Sequence, residues 1–218
     1  MKLKKIASLA LAGVMAISML AGCSGKTENN ENNGDQNQVV AASVADYANN
    51  LMTAAQKNVF KFENSSDLTA ALKKVASDST KFGSTDIKDI SDNLTNFSIG
   101  DLYNNGEKLR NELKDEMDLD FVHGTGLAAV NEEGTRTQGF VYAVSGKLTE
   151  AAAVQLIGGE FVTDAVKAST FPAEVDDFKC DYTAEISAVK VTAPDTDKNS
   201  AWVVAIVVTQ DAVKVSNT

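Results

Sequence analysis

The eight residues Ala201-Trp202-Val203-Val204-Ala205-Ile206-Val207-Val208 carry no charge, and five of them are β-branched. Branching at Cβ stiffens χ1 and favours the pleated surface of a strand over a helix. Because neither of the two alternating sets of positions is polar, both faces of this strand need apolar cover. The run is therefore predicted to be the centre of a sheet. Eight residues are too few for a membrane span, which takes about 20.

The residues before it supply partners. Tyr182, Ala184, Ile186 and Ala188 alternate with Thr183, Glu185 and Ser187, as in a half-buried strand. Val189 and Val191 then shift the parity, which predicts a β-bulge or a twist. Phe121 to Val130 and Phe140 to Val144 are two further β-type runs, separated by the turn-rich Asn131-Glu132-Glu133-Gly134 and predicted to form a hairpin with a longer loop. Thr149 caps a predicted helix through Ala151, Ala152, Val154 and Leu156, stopped by Gly158-Gly159. Phe161 to Ala168 has pairs four apart, Phe161/Ala165 and Val162/Val166, and reads as a helix with a strand as the alternative. Phe171-Pro172 ends it.

The first half has helical spacing. Val44, Tyr47, Leu51, Ala55, Val59 and Phe62 recur three and four apart, on one face of an amphipathic helix. Ser65 or Ser66 caps a second helix carrying Leu68, Ala71, Leu72 and Val75. Lys81-Phe82-Gly83-Ser84 is a break, and Thr85 caps a third segment with Ile87, Ile90, Leu94 and Phe97 aligned. Asn104-Asn105-Gly106 is a turn before a charged helix carrying Leu109, Leu113 and Met117. The expected fold class is α+β, a mainly antiparallel sheet of four to five strands with helices packed on it and a helical N-terminal half. No fixed-period repeat occurs, and residues 40–218 are within the usual size of one domain.

The N-terminus carries an address. Lys2, Lys4 and Lys5 precede an uncharged run of 15 residues, Ile6 to Leu20, which has the form of a secretory signal. The run closes on Leu20-Ala21-Gly22-Cys23, which resembles the lipobox of bacterial lipoproteins at all four places. The resemblance implies cleavage between Gly22 and Cys23 after the Cys23 thiol is joined to diacylglycerol. It also implies a mature domain on the extracytoplasmic side of the cell membrane, held by acyl chains such as palmitate. Two acyl chains anchor stably at about 0.8 kcal/mol per buried methylene. A retained single-span anchor, or ordinary secretion with cleavage near Ala21, are the alternatives. Ser24 is unlike the Asp that favours inner-membrane retention in Gram-negative lipoproteins. From Ser24 to Gln38 there is no aliphatic or aromatic residue, so residues 23–39 are expected to form the lipidated cysteine and a disordered Asn/Gln-rich tether. A coil of that length spans on the order of 20 Å.

Charge narrows the partners. Residues 1–22 hold three basic and no acidic residues, so removing them from 20 basic and 30 acidic leaves a net charge of −13. No Lys/Arg cluster stands outside the signal, which argues against nucleic acid and against charge-driven binding to an anionic bilayer. With Cys23 given to lipid, Cys180 is the other of two cysteines and is expected to be a small buried side chain rather than a reactive thiol. One histidine and no Cys-x-x-Cys leave no metal pattern.

Gly124-Thr125-Gly126-Leu127-Ala128-Ala129 matches G-x-G-x-x-A, yet Val130-Asn131-Glu132-Glu133-Gly134 is too broken to be the helix a dinucleotide needs, and no acidic residue stands about 20 positions on. No cofactor is expected. His123, near Asp118 and Asp120, has the chemistry of a general base but no Gly-x-Ser-x-Gly elbow to serve. Glu132-Glu133, Asp176-Asp177 and the Asp195/Asp197 loop pair carboxylates without signs of burial, and Lys198 interrupts the likeness of that loop to a calcium site. Aromatics are 6% of the chain, too few for a carbohydrate platform, and Trp202 sits in the most apolar strand, where core packing is expected.

The leading expectation is a lipid-anchored extracytoplasmic module, non-catalytic, that binds an envelope protein or a small molecule or has an envelope-structural role. A cell-envelope hydrolase using carboxylates or His123 is the second, and a small substrate-capturing partner of a transporter is the third.

Overall fold

The apolar run at 201–208 is the middle of a fifteen-residue strand, and its neighbour is equally long. The computed structural model describes residues 42–93, 99–122, 130, 132–165 and 171–215. In chain order the elements are α1 (Val44–Asn49), α2 (Ala54–Lys57), β1 (Phe62–Asn64), α3 (Ser66–Ala76), α4 (Ser84–Asp92), α5 (Ile99–Asn105), α6 (Glu107–Met117), β2 (Gly134–Ser145), α7 (Glu150–Ala165), β3 (Glu174–Val175), β4 (Phe178–Thr192) and β5 (Ser200–Lys214). The fold class is α+β. The sheet runs β1-β4-β5-β2, with β3 paired to β4. All pairings are antiparallel except β1 on β4. Residues 1–22 and 23–39, expected as signal and tether, together with Leu94, Phe97, most of the run 121–130 and residues 166–168, lie outside the described residues.

β5 is sandwiched as its composition predicts: Ala201 and Val203–Val208 are 0–6% exposed. Even-numbered side chains of the sheet enter one core. Phe140, Tyr142 and Val144 of β2, Cys180, Tyr182, Ala184 and Ile186 of β4, and Val204, Ile206 and Val208 of β5 pack there with Ala45 and Ala48 of α1 and with Val154, Ile157 and Phe161 of α7. Odd-numbered side chains enter a second core. Val141 and Ala143, Val189 and Val191, and Ala201, Val203, Ala205 and Val207 pack with Leu68 and Leu72 of α3, Ile87 and Ile90 of α4, and Leu109 and Leu113 of α6.

The two cores are displaced along the strands, and this corrects the expected bulge. β4 pairs with β5 without interruption from Phe178↔Lys214 to Thr192↔Ser200. In β4 the even positions 180–186 are buried and the odd positions 179–185 exposed, whereas beyond Ile186 the odd positions 187, 189 and 191 are buried. The parity shift marks the point where helical cover passes from one face of a regular strand to the other. A bulge would have changed the register count.

Three further expectations are corrected. The single helix predicted over Val44–Phe62 is α1, the short α2 and then β1. Thr53 restarts the chain with a capping box, its hydroxyl accepting from Gln56 N while Gln56 Oε1 accepts from Thr53 N. The Asn49 amide accepts from Phe62 N at 2.9 Å and donates to Phe62 O at 2.8 Å, fastening β1 beside β4. Gly158-Gly159 does not stop a helix, since α7 runs through both, with Ala48 of α1 packed beside Gly158. Phe121 meets Gly139 in a parallel bridge, not the antiparallel hairpin expected of those two runs. Two smaller points concern helix starts: Gly83, not Thr85, is the N-cap of α4, and Ser65 caps α3 as predicted.

The outer edge of β2 is shielded where Gly139 exchanges backbone bonds with Asp120 and Val122, and where Asn105 Nδ2 donates to Ala143 O at 3.1 Å. Gly106, between α5 and α6, lies so close to this edge that a Cβ would stand 2.6 Å from Val141 O. Gly106→Ala is therefore expected to destabilise the fold by about 1–3 kcal/mol, since backbone must move. At Gly159 a Cβ would meet only Leu51 Cδ1, at 3.6 Å. Gly159→Ala is expected to stabilise by about 0.5–1 kcal/mol through helix propensity. Urea unfolding of both variants reads the two signs, and a loss of stability at Gly159 would contradict the continuous α7.

Candidate functional site

The displaced cores leave part of the sheet uncovered. On the odd face, beyond Val207, the side chains of three strands and β1 point away from every described helix. The register sets them in rows: Asp181, Asp211 and Thr135; Thr183, Thr209 and Thr137; then Glu63 and Glu185, beside Val207 and Gly139. Lys179 and Val213 form the outermost row, and Val213 is 59% exposed. Val207 is buried, and the Phe121 ring lies over Gly139, so the cover ends at that row. Every other side chain named is exposed, except Thr209, which is half-buried.

Short polar links tie the rows. Thr135 Oγ1 donates to Asp211 Oδ1, and the Thr137 and Thr209 hydroxyls are 3.0 Å apart. Lys179 Nζ lies 3.5 Å from Asp181 Oδ2. Threonine is at home here, because it is β-branched on a pleated surface and hydrogen-bonds across strands. Asp181 opposite Asp211, and Glu63 opposite Glu185, place like charges directly across strand pairs, an arrangement that is unfavourable in itself.

The reverse side of the same strands is rigid. Tyr182 Oη donates to Pro172 O at 2.8 Å and accepts from Gln210 Nε2 at 3.0 Å. Gln210 is 3% exposed, and Phe171 stacks edge-on against Tyr182 at 5.3 Å. Burial pushes the Tyr182 phenol from 10.0 up to about 12, against the opposing pull of the Gln210 hydrogen bond.

A second feature is a shallow groove between α3 and α6 lined by Lys74, Val75, Asp78, Lys81, Glu112, Asp115 and Glu116. Ion pairs Lys74–Glu116 and Lys81–Glu112 bridge it. Glu112 raises the Lys81 ammonium above its ordinary value, and hydrogen bonds from the Thr80 side chain and backbone lower the Asp78 carboxyl. Both of its lysines are thus paired across the seam between the helices.

Among the described residues, those singled out from sequence do not meet in one place. Leu20, Ala21, Gly22, Cys23, His123 and Gly124–Ala129 lie outside the described residues. Asp120 is paired with Lys114, and Asp118 ends α6 in the left-handed region at φ 51°. Glu133 accepts from Lys214 N, Asp176 forms the β3–β4 turn at φ 50°, and Asp195 and Asp197 are exposed in the β4–β5 loop. Cys180 is free and buried. Trp202 is half-buried at the rim of the first core, its Nε1 donating to Leu148 O, with Lys190 Nζ 5.7 Å from the ring centroid. Among the described residues no group of three or more His, Cys, Asp or Glu is placed to hold a metal ion, and no helix is long and apolar enough to cross a membrane. Comparison with family models, curated proteins and solved structures finds no match to the chain.

Sequence reasoning missed the threonine and carboxylate rows altogether. The only local signal was the polar half of the alternation through Thr183 and Glu185 and its continuation at Thr209 and Asp211 after the apolar run.

A tyrosine whose folded pKa exceeds its unfolded one keeps its proton after the unfolded chain has lost it. Stability is then full below pH 10 and falls as pH rises towards 12. Tyr182→Phe is expected to cost about 1–3 kcal/mol at neutral pH, because Gln210 Nε2 loses its acceptor. The variant should also flatten the decline between pH 10 and 12. Denaturant midpoints across that window compare the slopes, and equal slopes would exclude Tyr182 as the titrating group.

Proposed function

We propose that the chain is a lipid-anchored extracytoplasmic module that binds a partner through a preformed surface and does no chemistry of its own. The observation that carries this reading is Leu20-Ala21-Gly22-Cys23 at the end of a short uncharged run behind three lysines. The Cys23 thiol takes the diacylglycerol, the cut falls after Gly22, and residues 24–38 tether the domain outside the cell membrane.

The open face of β2, β4 and β5 supports the binding part of the reading. A polar surface on three long paired strands, backed by the Tyr182–Gln210–Pro172 links and the first core, is ordered before anything touches it. A preformed surface avoids much of the ordering cost of association. Its carboxylates are exposed and spread over several rows, which suits recognition.

Metabolic labelling with palmitate tests the anchor. Label is expected in the wild-type chain in the membrane fraction, and Cys23→Ala should lose the label and accumulate as the uncleaved precursor. Label retained in Cys23→Ala would overturn the reading.

A further inference from the structure

We propose that the Cys180 thiol and the Gln210 side-chain amide join in an internal thioester, a latent acyl donor whose ligand class is a primary amine. The inference goes beyond the binding-module reading. The bond is made within the chain and is spent on a single amine, so no substrate is turned over.

Both side chains leave the even face of neighbouring strands. Cys180 is paired with Ala212 and Tyr182 with Gln210, which makes Cys180 and Gln210 diagonal neighbours in the β4–β5 ladder. Diagonal positions stand about 7–8 Å apart, within reach of long side chains. The Tyr182 hydroxyl gathers them: it accepts from Gln210 Nε2 at 3.0 Å, and the Cys180 thiol lies within hydrogen-bonding distance of the same oxygen. Thiol and amide thus converge on one point. Cys180 and Gln210 are each 3% exposed, and a thioester lasts only where water is kept from it.

The Gln210 amide is the unusual member of the pair. Its Oε1 is buried and, among the described residues, has no donor. An orphaned buried acceptor is costly to a fold and calls for an explanation. A methionine of similar length would fill the same space without that cost. In the exchange the Cys180 sulfur attacks Gln210 Cδ, an S–C bond forms and the Cδ–Nε2 bond breaks. The thiol proton leaves on the nitrogen by way of the Tyr182 hydroxyl, and ammonia departs. Its protonation and dilution in bulk water draw the exchange forward, and no oxidant or second reactant is consumed. Arg136, paired in register with Gln210 and with its Nη1 buried, brings positive charge to the row where Oε1 gathers negative charge during the attack.

Mass spectrometry of the full chain, purified in detergent, reads the bond directly. Alkylated in denaturant and digested with trypsin at mildly acidic pH, the wild-type chain is expected to give Cys180–Lys190 joined to Asn199–Lys214. The joined species should be lighter by one ammonia than the two peptides together. Methylamine added to the folded chain should open the bond, leaving a methylamide on Gln210 and a Cys180 thiol that alkylates. Cys180→Ala should give separate peptides and a Gln210 that methylamine leaves unchanged, with a thermal melt to verify its fold. The wild-type measurement decides even if that variant fails to fold. Separate wild-type peptides with Cys180 fully alkylated before any amine is added, or methylamine taken up at Gln210 in Cys180→Ala, would overturn the inference.

Discussion

Everything described hangs on the fifteen-residue pairing of β4 with β5. β5 lends its even side chains to the core beneath α1 and α7 and its odd side chains to the core beneath α3, α4 and α6. Neither helical layer could exclude water from its apolar stripe without that strand. Burying a Val or Ile side chain is worth about 1.5–3 kcal/mol, and β5 alone supplies five such residues between positions 203 and 208. β2 completes one side of the ribbon, and β1 and β3 share the outer edge of β4.

How much of this could be read from the sequence follows from the range of each interaction. The strand at 201–208 was legible because its composition states its environment at every position. Ser65, Leu68, Leu72 and Val75 were legible as a capped amphipathic helix for the same local reason. The break near Asn50 was not, because Val44, Tyr47, Leu51, Ala55, Val59 and Phe62 do keep helical spacing. What overrides it is distant: Phe62 is held by the Asn49 amide and by Ala184 of β4. Gly158-Gly159 misled in the opposite direction. Glycines near a plausible helix end resemble a stop, yet here a continuous helix packed against α1 carries both, and only tertiary packing separates the two outcomes.

The shift of parity in β4 shows the same limit from another angle. Ser187, Val189 and Val191 truly change the buried phase, and the local pattern was read correctly as a change. Its cause lies in which helices arrive on which face, a fact held by α3, α4 and α6, far upstream in the chain. The candidate surface was hidden by this as well. Thr183 and Glu185 look like the solvent side of any amphipathic strand until register brings them beside Thr209, Thr137 and Glu63. The resemblance of Leu20-Ala21-Gly22-Cys23 to a lipobox is of another kind, because four adjacent residues carry all of it and no fold is needed to assemble it.

The uncovered rows have a simpler use that must be weighed, since polar side chains on exposed strands keep sheets from pairing with other chains. Protection alone predicts mixed charges, because opposite signs across strands solubilise the face and attract one another as well. Asp181 faces Asp211 and Glu63 faces Glu185 instead, while the lysine on this face, Lys179, sits at its far end opposite Val213. Lys179 Nζ reaches Asp181 and the Thr135 hydroxyl donates to Asp211, so part of that repulsion is answered within the face itself.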